Sequence, residues 1–133
     1  MADPGKGYPH EVLRSLYEAF GRGDLAGVGA VFWPDAIFHQ PGRNPTSGDY
    51  KGVAEILRFL RSLAERSGGT FRGTVHDVLD SDDHAVGLLQ VTASRGDRKL
   101  DMPVVHVAHV SNGRITEIWA HPRDQYEVDA FWA

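Results

Sequence analysis

Apolar residues recur at helical spacing three times before residue 65, and then the period changes. Val12, Leu13, Leu16, Tyr17 and Phe20 fall on one side of a helix that starts at Pro9, with Glu11, Arg14 and Glu18 on the other. Gly21-Arg22-Gly23 ends it, because glycine tolerates the left-handed conformation that follows a helix. Asp24 is placed to cap a second helix by accepting a backbone N–H, and Leu25, Val28, Val31 and Phe32 form that helix's apolar face. Pro34 lies just past its end. Residues 36–40 read as a short strand and residues 41–48 as a loop. Val53, Ile56, Leu57, Leu60, Leu63 and Ala64 define a third, longer helix, ended by Ser67-Gly68-Gly69.

Beyond Thr70 the pattern is that of strands. Residues 70–79, 84–93, 100–110 and 114–121 are β-rich, separated by short turn-forming gaps such as Asp80-Ser81-Asp82-Asp83 and Ser111-Asn112-Gly113. Short gaps between successive strands imply antiparallel hairpins. The expected plan is three helices with one early strand, then a four-stranded meander, an α+β domain over residues 9–133. Residues 1–8, with two glycines and a proline, are expected to be flexible. The tail DQYEVDAFWA fits either a last turn of helix or a docked strand, with Asp124, Asp129 and Phe131-Trp132 anchoring it to the body or to a second subunit.

Composition narrows the function classes. A chain of 133 residues can bury roughly two thirds of its unfolded surface, enough for one core without staples. There is no cysteine, which excludes disulfides, thiolate metal sites and a cysteine nucleophile. Lys and Arg total 14 against 18 Asp and Glu, so there is no basic footprint for nucleic acid. The apolar runs fall far short of the ~20 residues a membrane span needs. The N-terminus has no apolar core of a secretory signal, and a cytoplasmic location is expected.

The stretches LYEAFGRGDLAGVGAVFWPDAIFHQPG, SGDYKGVAEILRFL and VHVAHVSNGRITEIWAHPRDQYEVDAFW resemble the nuclear-transport-factor-2-like superfamily, specifically its SnoaL-like and ketosteroid-isomerase-like branch. The resemblance covers about residues 10–132. It implies a cone, in which a curved, mainly antiparallel sheet curls round a pocket and the helices close it, and it implies a homodimer in many members. The family includes isomerases, cyclases, epoxide hydrolases and proteins that only bind or scaffold, and fold does not settle activity. Ketosteroid isomerases carry a proton-shuttling carboxylate directly before the proline that ends the early strand, and here that position is Gln40. Their second carboxylic acid aligns with His106, and the tyrosine of the first helix with Leu16, one residue before Tyr17. Limonene epoxide hydrolases place an aspartate about where Ala120 stands. The isomerase set is therefore absent as such.

His106 is the foremost catalytic candidate, because imidazole titrates near neutrality and acts as acid or base. Which way it points depends on the last hairpin. A two-residue Asn112-Gly113 turn pairs it with Trp119, and a three-residue Ser111-Asn112-Gly113 loop pairs it with Ile118. The second is favoured. It gathers Met102, Val104, His106, Ile118 and Ala120 on a pocket wall, and leaves Val105, Val107, His109, Glu117, Trp119 and His121 on an outer face suited to a dimer interface. His39 and Gln40 face opposite ways by alternation, so Gln40 joins Phe38 in the pocket and His39 points elsewhere, unless the strand end twists. In a catalyst His106 would move the proton and Gln40 or Tyr17 would orient a carbonyl or hydroxyl; Tyr17 and His39 are the weaker candidates.

Leu16, Phe20, Trp33, Phe38 and Phe59 complete the expected pocket lining. No metal is expected, since there is no His-Glu-x-x-His helix and His106 and His109 alternate across a strand. No Gly-x-Ser-x-Gly elbow or phosphate cradle is present, and no cofactor is expected. Two readings follow. One is a cofactor-free isomerase, cyclase or hydratase acting on a small, apolar, oxygenated metabolite such as a polyketide, steroid or terpenoid. The other is a ligand-binding or dimer-forming domain without turnover.

Overall fold

In the computed structural model, which describes residues 7–133, helices pack on one mixed, curled, open six-stranded sheet. The expected flexible segment lies mostly outside the described residues; of its last two, Tyr8 caps the first helix, its N–H donating to Glu11 Oε1 at 3.3 Å. The elements run α1 (Pro9–Gly21), α2 (Leu25–Ala30), β1 (Phe32–Gln40), β2 (Gly48–Lys51), α3 (Val53–Arg66), β3 (Arg72–Asp80), β4 (His84–Arg95), β5 (Arg98–Ser111), β6 (Arg114–Pro122) and α4 (Gln125–Trp132). None of the described helices is long and apolar enough to cross a membrane.

The sheet order is β2-β1-β6-β5-β4-β3. Every neighbouring pair is antiparallel except β1 and β6, which are parallel. The helices cover one face of this sheet. Leu13, Leu16 and Ala19 of α1 and Ile56, Phe59, Leu60 and Leu63 of α3 are buried, which is the period the sequence carries. Each such leucine, isoleucine or phenylalanine contributes roughly 1.5–3 kcal/mol on burial.

Of four expectations, three need correction and one open alternative is decided. First, α2 ends at Ala30, and Phe32 belongs to the strand β1, which starts there rather than at residue 36. Pro34 is tolerated inside β1 because β2 pairs only Ile37–Gln40 and the ladder to β6 is interrupted between Phe32 and Ile37. Second, the segment between β1 and α3 is not all loop: β2 pairs with β1, Gly48 opposite Gln40. Third, the tail is a helix. Asp124 caps it by accepting from Glu127 N–H at 3.2 Å, and Arg95 and Arg98 donate to the carbonyls of Phe131 and Ala133 at its end.

The fourth concerns the last hairpin. Ser111 pairs with Arg114, so the turn is the two-residue Asn112-Gly113, with φ of 49° and 78° as a type I′ turn requires. A bulge at Thr116 then shifts the register by one, and His106 lies opposite Ala120 rather than Ile118 or Trp119. Residues 118 and 120 share a face, so the bulge brings His106 to the helix-covered side that the longer loop was expected to give.

Candidate functional site

Register places a row of residues side by side on the covered face. His106 is opposite Ala120 on β6 and opposite Gly87 on β4, and Gly87 is opposite Val78 on β3. One step beyond the His39 and Trp119 pair, Gln40 of β1 comes beside Ala120. Gln40 and His106 therefore flank the small side chain of Ala120, on strands two ladder spacings, or about 10 Å, apart.

Above this row is a cavity of about 100 Å³. Leu16, Tyr17 and Phe20 from α1, Phe59, Leu60 and Leu63 from α3, and Gln125, Val128 and Trp132 from α4 close it. Phe38, Gln40, Pro41, Phe71, Gly73, Leu89, Val91, Leu100, Val104, His106, Ala120 and Pro122 complete the wall. Among the described residues the lining holds no carboxylate, lysine or arginine.

Three expected lining residues are elsewhere. Met102 and Ile118 are on the covered face but fully buried in packed core. Trp33 lies in the irregular start of β1, where its indole N–H donates to Ser111 O at 2.8 Å and the Arg114 guanidinium sits 5.2 Å from its ring. Tyr17 and His106 meet: the hydroxyl lies 2.9 Å from His106 Nδ1, and the two rings are stacked. Phe38 meets the same imidazole edge-on, with centroids 6.0 Å apart.

Burial sets the chemistry of this pair. It pulls the His106 pKa down to about 4, with the charge of His121 adding a smaller push, and it raises that of Tyr17. Near neutral pH both groups are uncharged. The Tyr17 hydroxyl has no other hydrogen-bond partner among the described residues, so it donates to Nδ1 and leaves the imidazole proton on Nε2. Nε2 has no partner among the described residues either, yet every sealed side-chain nitrogen or oxygen among them has one. His106 keeps some accessible surface because it lines the cavity, and Nε2–H is a donor open to whatever enters. The Gln40 amide is in the same position.

His39 takes no part in this. It faces the other side of the sheet, where Nδ1 lies 2.7 Å from Asp49 Oδ1, Nε2 lies 2.5 Å from Glu117 Oε2, and Trp119 stacks on the ring. Partial burial lowers its pKa, but the hydrogen bonds and charges of Glu117 and Asp49 outweigh that and the net shift is upward. Val105, Val107 and Trp119 share this face half-buried, and His121 is exposed. Among the described residues no group of three or more His, Asp or Glu side chains has the geometry to hold a metal ion.

Two contributors were not singled out by the sequence reading. Gly87 is one, and a glycine inside a β-rich run is a recognisable sign that something approaches the backbone closely. A Cβ there would fall far inside contact distance of the Tyr17 hydroxyl. Gln125 is the other, and nothing local to it marks it, because it reaches the cavity only through the docking of α4.

Comparison with known proteins matches the SnoaL-like domain model to residues 13–118. Uncharacterized protein Rv0034 of Mycobacterium tuberculosis is 32% identical over 124 residues, covering 92% of this chain and 95% of that protein. Bal32a, from a soil-derived mobile gene cassette, is 35% identical with a TM-score of 0.89, covering 92% of this chain and 95% of Bal32a. IdmH, a putative polyketide cyclase from Streptomyces antibioticus, shares the fold at 21% identity and a TM-score of 0.74, over 88% of this chain and 93% of its own.

Proposed function

Because the chain belongs to the SnoaL-like domain family, a fold that closes a cavity, we propose that it binds a small, mostly apolar carbonyl compound and promotes keto–enol chemistry on it. The observation that carries this is the Tyr17–His106 pair at 2.9 Å, with Nε2–H free in a mostly apolar cavity. A neutral imidazole held as a donor in a low-dielectric site stabilises negative charge developing on a carbonyl oxygen, and it needs no reorganisation to do so. Tyr17 fixes the tautomer. Gln40, across Ala120, offers its amide N–H as a second donor to the same oxygen. Isomerisation and ring closure both pass through such an enol or enolate, with solvent water taking the α-proton because the lining residues supply no base, and the shared fold of IdmH makes polyketide-like ketones the first class to try.

A second reading is a binding protein without turnover. It is favoured by the lack of any carboxylate in the lining, since a neutral donor alone does not abstract a carbon-bound proton. Carbonyl-labelled acetophenone separates the two. The proposal expects its C=O stretch to move to lower frequency on binding, the move to vanish in His106→Phe, and α-hydrogen exchange with deuterated water to accelerate. A lowered stretch without accelerated exchange selects the binding protein. An unchanged stretch rejects both readings of His106.

A further inference from the structure

The cavity has a polar residue on the α4 side that the carbonyl site does not use. Gln125 lines it, and its amide is not free to turn. Nε2 donates to Asp129 Oδ1 at 2.9 Å and, at a long 3.5 Å, to the carbonyl of Pro41. Both are acceptors only, so the nitrogen is fixed on that side. Gln125 Oε1 has no donor among the described residues, and it is not a sealed atom. The polar atom left open is therefore a carbonyl oxygen, which can only accept.

Asp129 is itself held in place. Its Oδ1 also accepts from Arg43 N–H at 3.0 Å and from Asn44 Nδ2 at 2.7 Å. Burial raises its pKa, but these hydrogen bonds and the Arg43 charge bring the net value below the ordinary carboxylate range, so it stays an acceptor. The platform beneath is rigid in its own right: Asn44 Oδ1 accepts from the backbone N–H and the hydroxyl of fully buried Thr46, and Ser47 Oγ donates to Pro41 O at 3.0 Å. Gly42, at φ 100°, leaves the space in which Gln125 and Asp129 meet, since a Cβ there would overlap both.

We infer that Gln125 is a ligand-recognising residue, locked by Asp129 so that only its carbonyl oxygen meets the cavity, and that it selects a ligand carrying a hydroxyl group. This rests on the carbonyl reading of His106 and extends it: the ligand is a hydroxyl-bearing ketone, its carbonyl at His106 Nε2 and its hydroxyl at Gln125 Oε1. Asp129 is the positioning residue. Without its carboxylate the Gln125 amide turns, and the subsite accepts a ligand acceptor as readily as a donor.

The test uses the 3- and 4-substituted hydroxy-, methyl- and methoxyacetophenones as probes, with binding followed by protein NMR and the C=O stretch by infrared difference spectra. At one position of the ring, wild type should bind the hydroxy compound at least about fivefold tighter than its methyl isostere, the factor one net hydrogen bond gives. Gln125→Leu should reduce that ratio to near one while methylacetophenone binding and its lowered stretch persist. Asp129→Leu, which removes the acceptor that Gln125 Nε2 donates to, should also reduce it, and should raise methoxy binding relative to hydroxy, a reversal that mere loosening of α4 would not produce. A hydroxy preference that survives Gln125→Leu, or none in wild type at either position, overturns the inference. A preserved preference with an unshifted stretch rejects the carbonyl reading and leaves Gln125 as the hydroxyl acceptor. Failure of every probe to bind overturns both.

Discussion

Gly87 stands directly opposite His106 in the β4–β5 ladder, and the space its side chain would fill is occupied by the Tyr17 hydroxyl. The contact at 2.9 Å between Tyr17 and His106 Nδ1 exists because position 87 has no Cβ. A helix residue, a strand residue and a gap in the neighbouring strand thus form one device, drawn from three distant parts of the chain.

Gly87→Ala should break it. The new methyl meets the Tyr17 oxygen and ring carbons, one end of a side chain hemmed in by the cavity wall. Alanine favours a strand over glycine by less than this overlap costs, which for overpacking is typically about 1–3 kcal/mol. The expected result in chemical denaturation is a net loss of stability in that range. The His106 ring resonances should change with it, because Nδ1 loses its donor. A neutral or stabilising outcome would mean that Tyr17 has somewhere else to go.

Acid should weaken the protein through His106. Its pKa in the fold is about 4, against 6.5 when unfolded, so between those values the unfolded chain binds a proton that the native site refuses. The contribution is complete above pH 6.5 and is lost as pH falls through 4, roughly 3 kcal/mol in all. His106→Gln keeps a hydrogen-bonding group for Tyr17 and removes the titration. Denaturation midpoints measured from pH 7 down to pH 4 should fall less steeply for this variant than for wild type.

Periodicity carried most of the fold and only part of the site. Leu13, Leu16 and Ile56 sit where a 3.6-residue period puts them, and strand alternation alone separates His39 from Gln40. The pairing of His106 was not legible, because it depends on a one-residue bulge at Thr116, and bulges leave no clear trace in an alternating pattern. Trp33 misled for a different reason: β1 starts at Phe32, four residues before the expected strand, and there the indole turns to the Ser111 carbonyl. Gln125 lay beyond reach altogether. Its role comes from a carboxylate four residues on and a loop more than eighty residues back, contacts that tertiary docking makes and local sequence does not encode.

The loop that holds Asp129 is open to a sharper test at Gly42. Its φ of 100° belongs to glycine, and a side chain there costs about 1–2 kcal/mol in backbone strain before any clash. The clash is with Gln125 and Asp129, so Gly42→Ala should do more than destabilise: it should separate α4 from the loop. Amide hydrogen exchange along residues 125–132 should quicken more than along α1. Equal acceleration everywhere would show that α4 is held without the loop, by its buried Val128, Phe131 and Trp132 and by Arg95 and Arg98.

On the outer face the sign of the pH dependence reverses. His39 has its pKa raised: burial works against the charge, and hydrogen bonds to Glu117 and Asp49 with their negative charge more than offset it. A group bound more tightly to its proton in the fold stabilises fully below the unfolded value of 6.5, and that stabilisation fades as pH climbs through the higher folded value. The bridge is only partly shielded, with the His39 side chain 26% accessible and Asp49 64%, so added salt should weaken it. His39→Gln should therefore lower stability at pH 6 in low salt and have progressively less effect as pH or salt rises. A penalty that stays constant across both series would assign the role of His39 to its stacking on Trp119 and remove charge from the account.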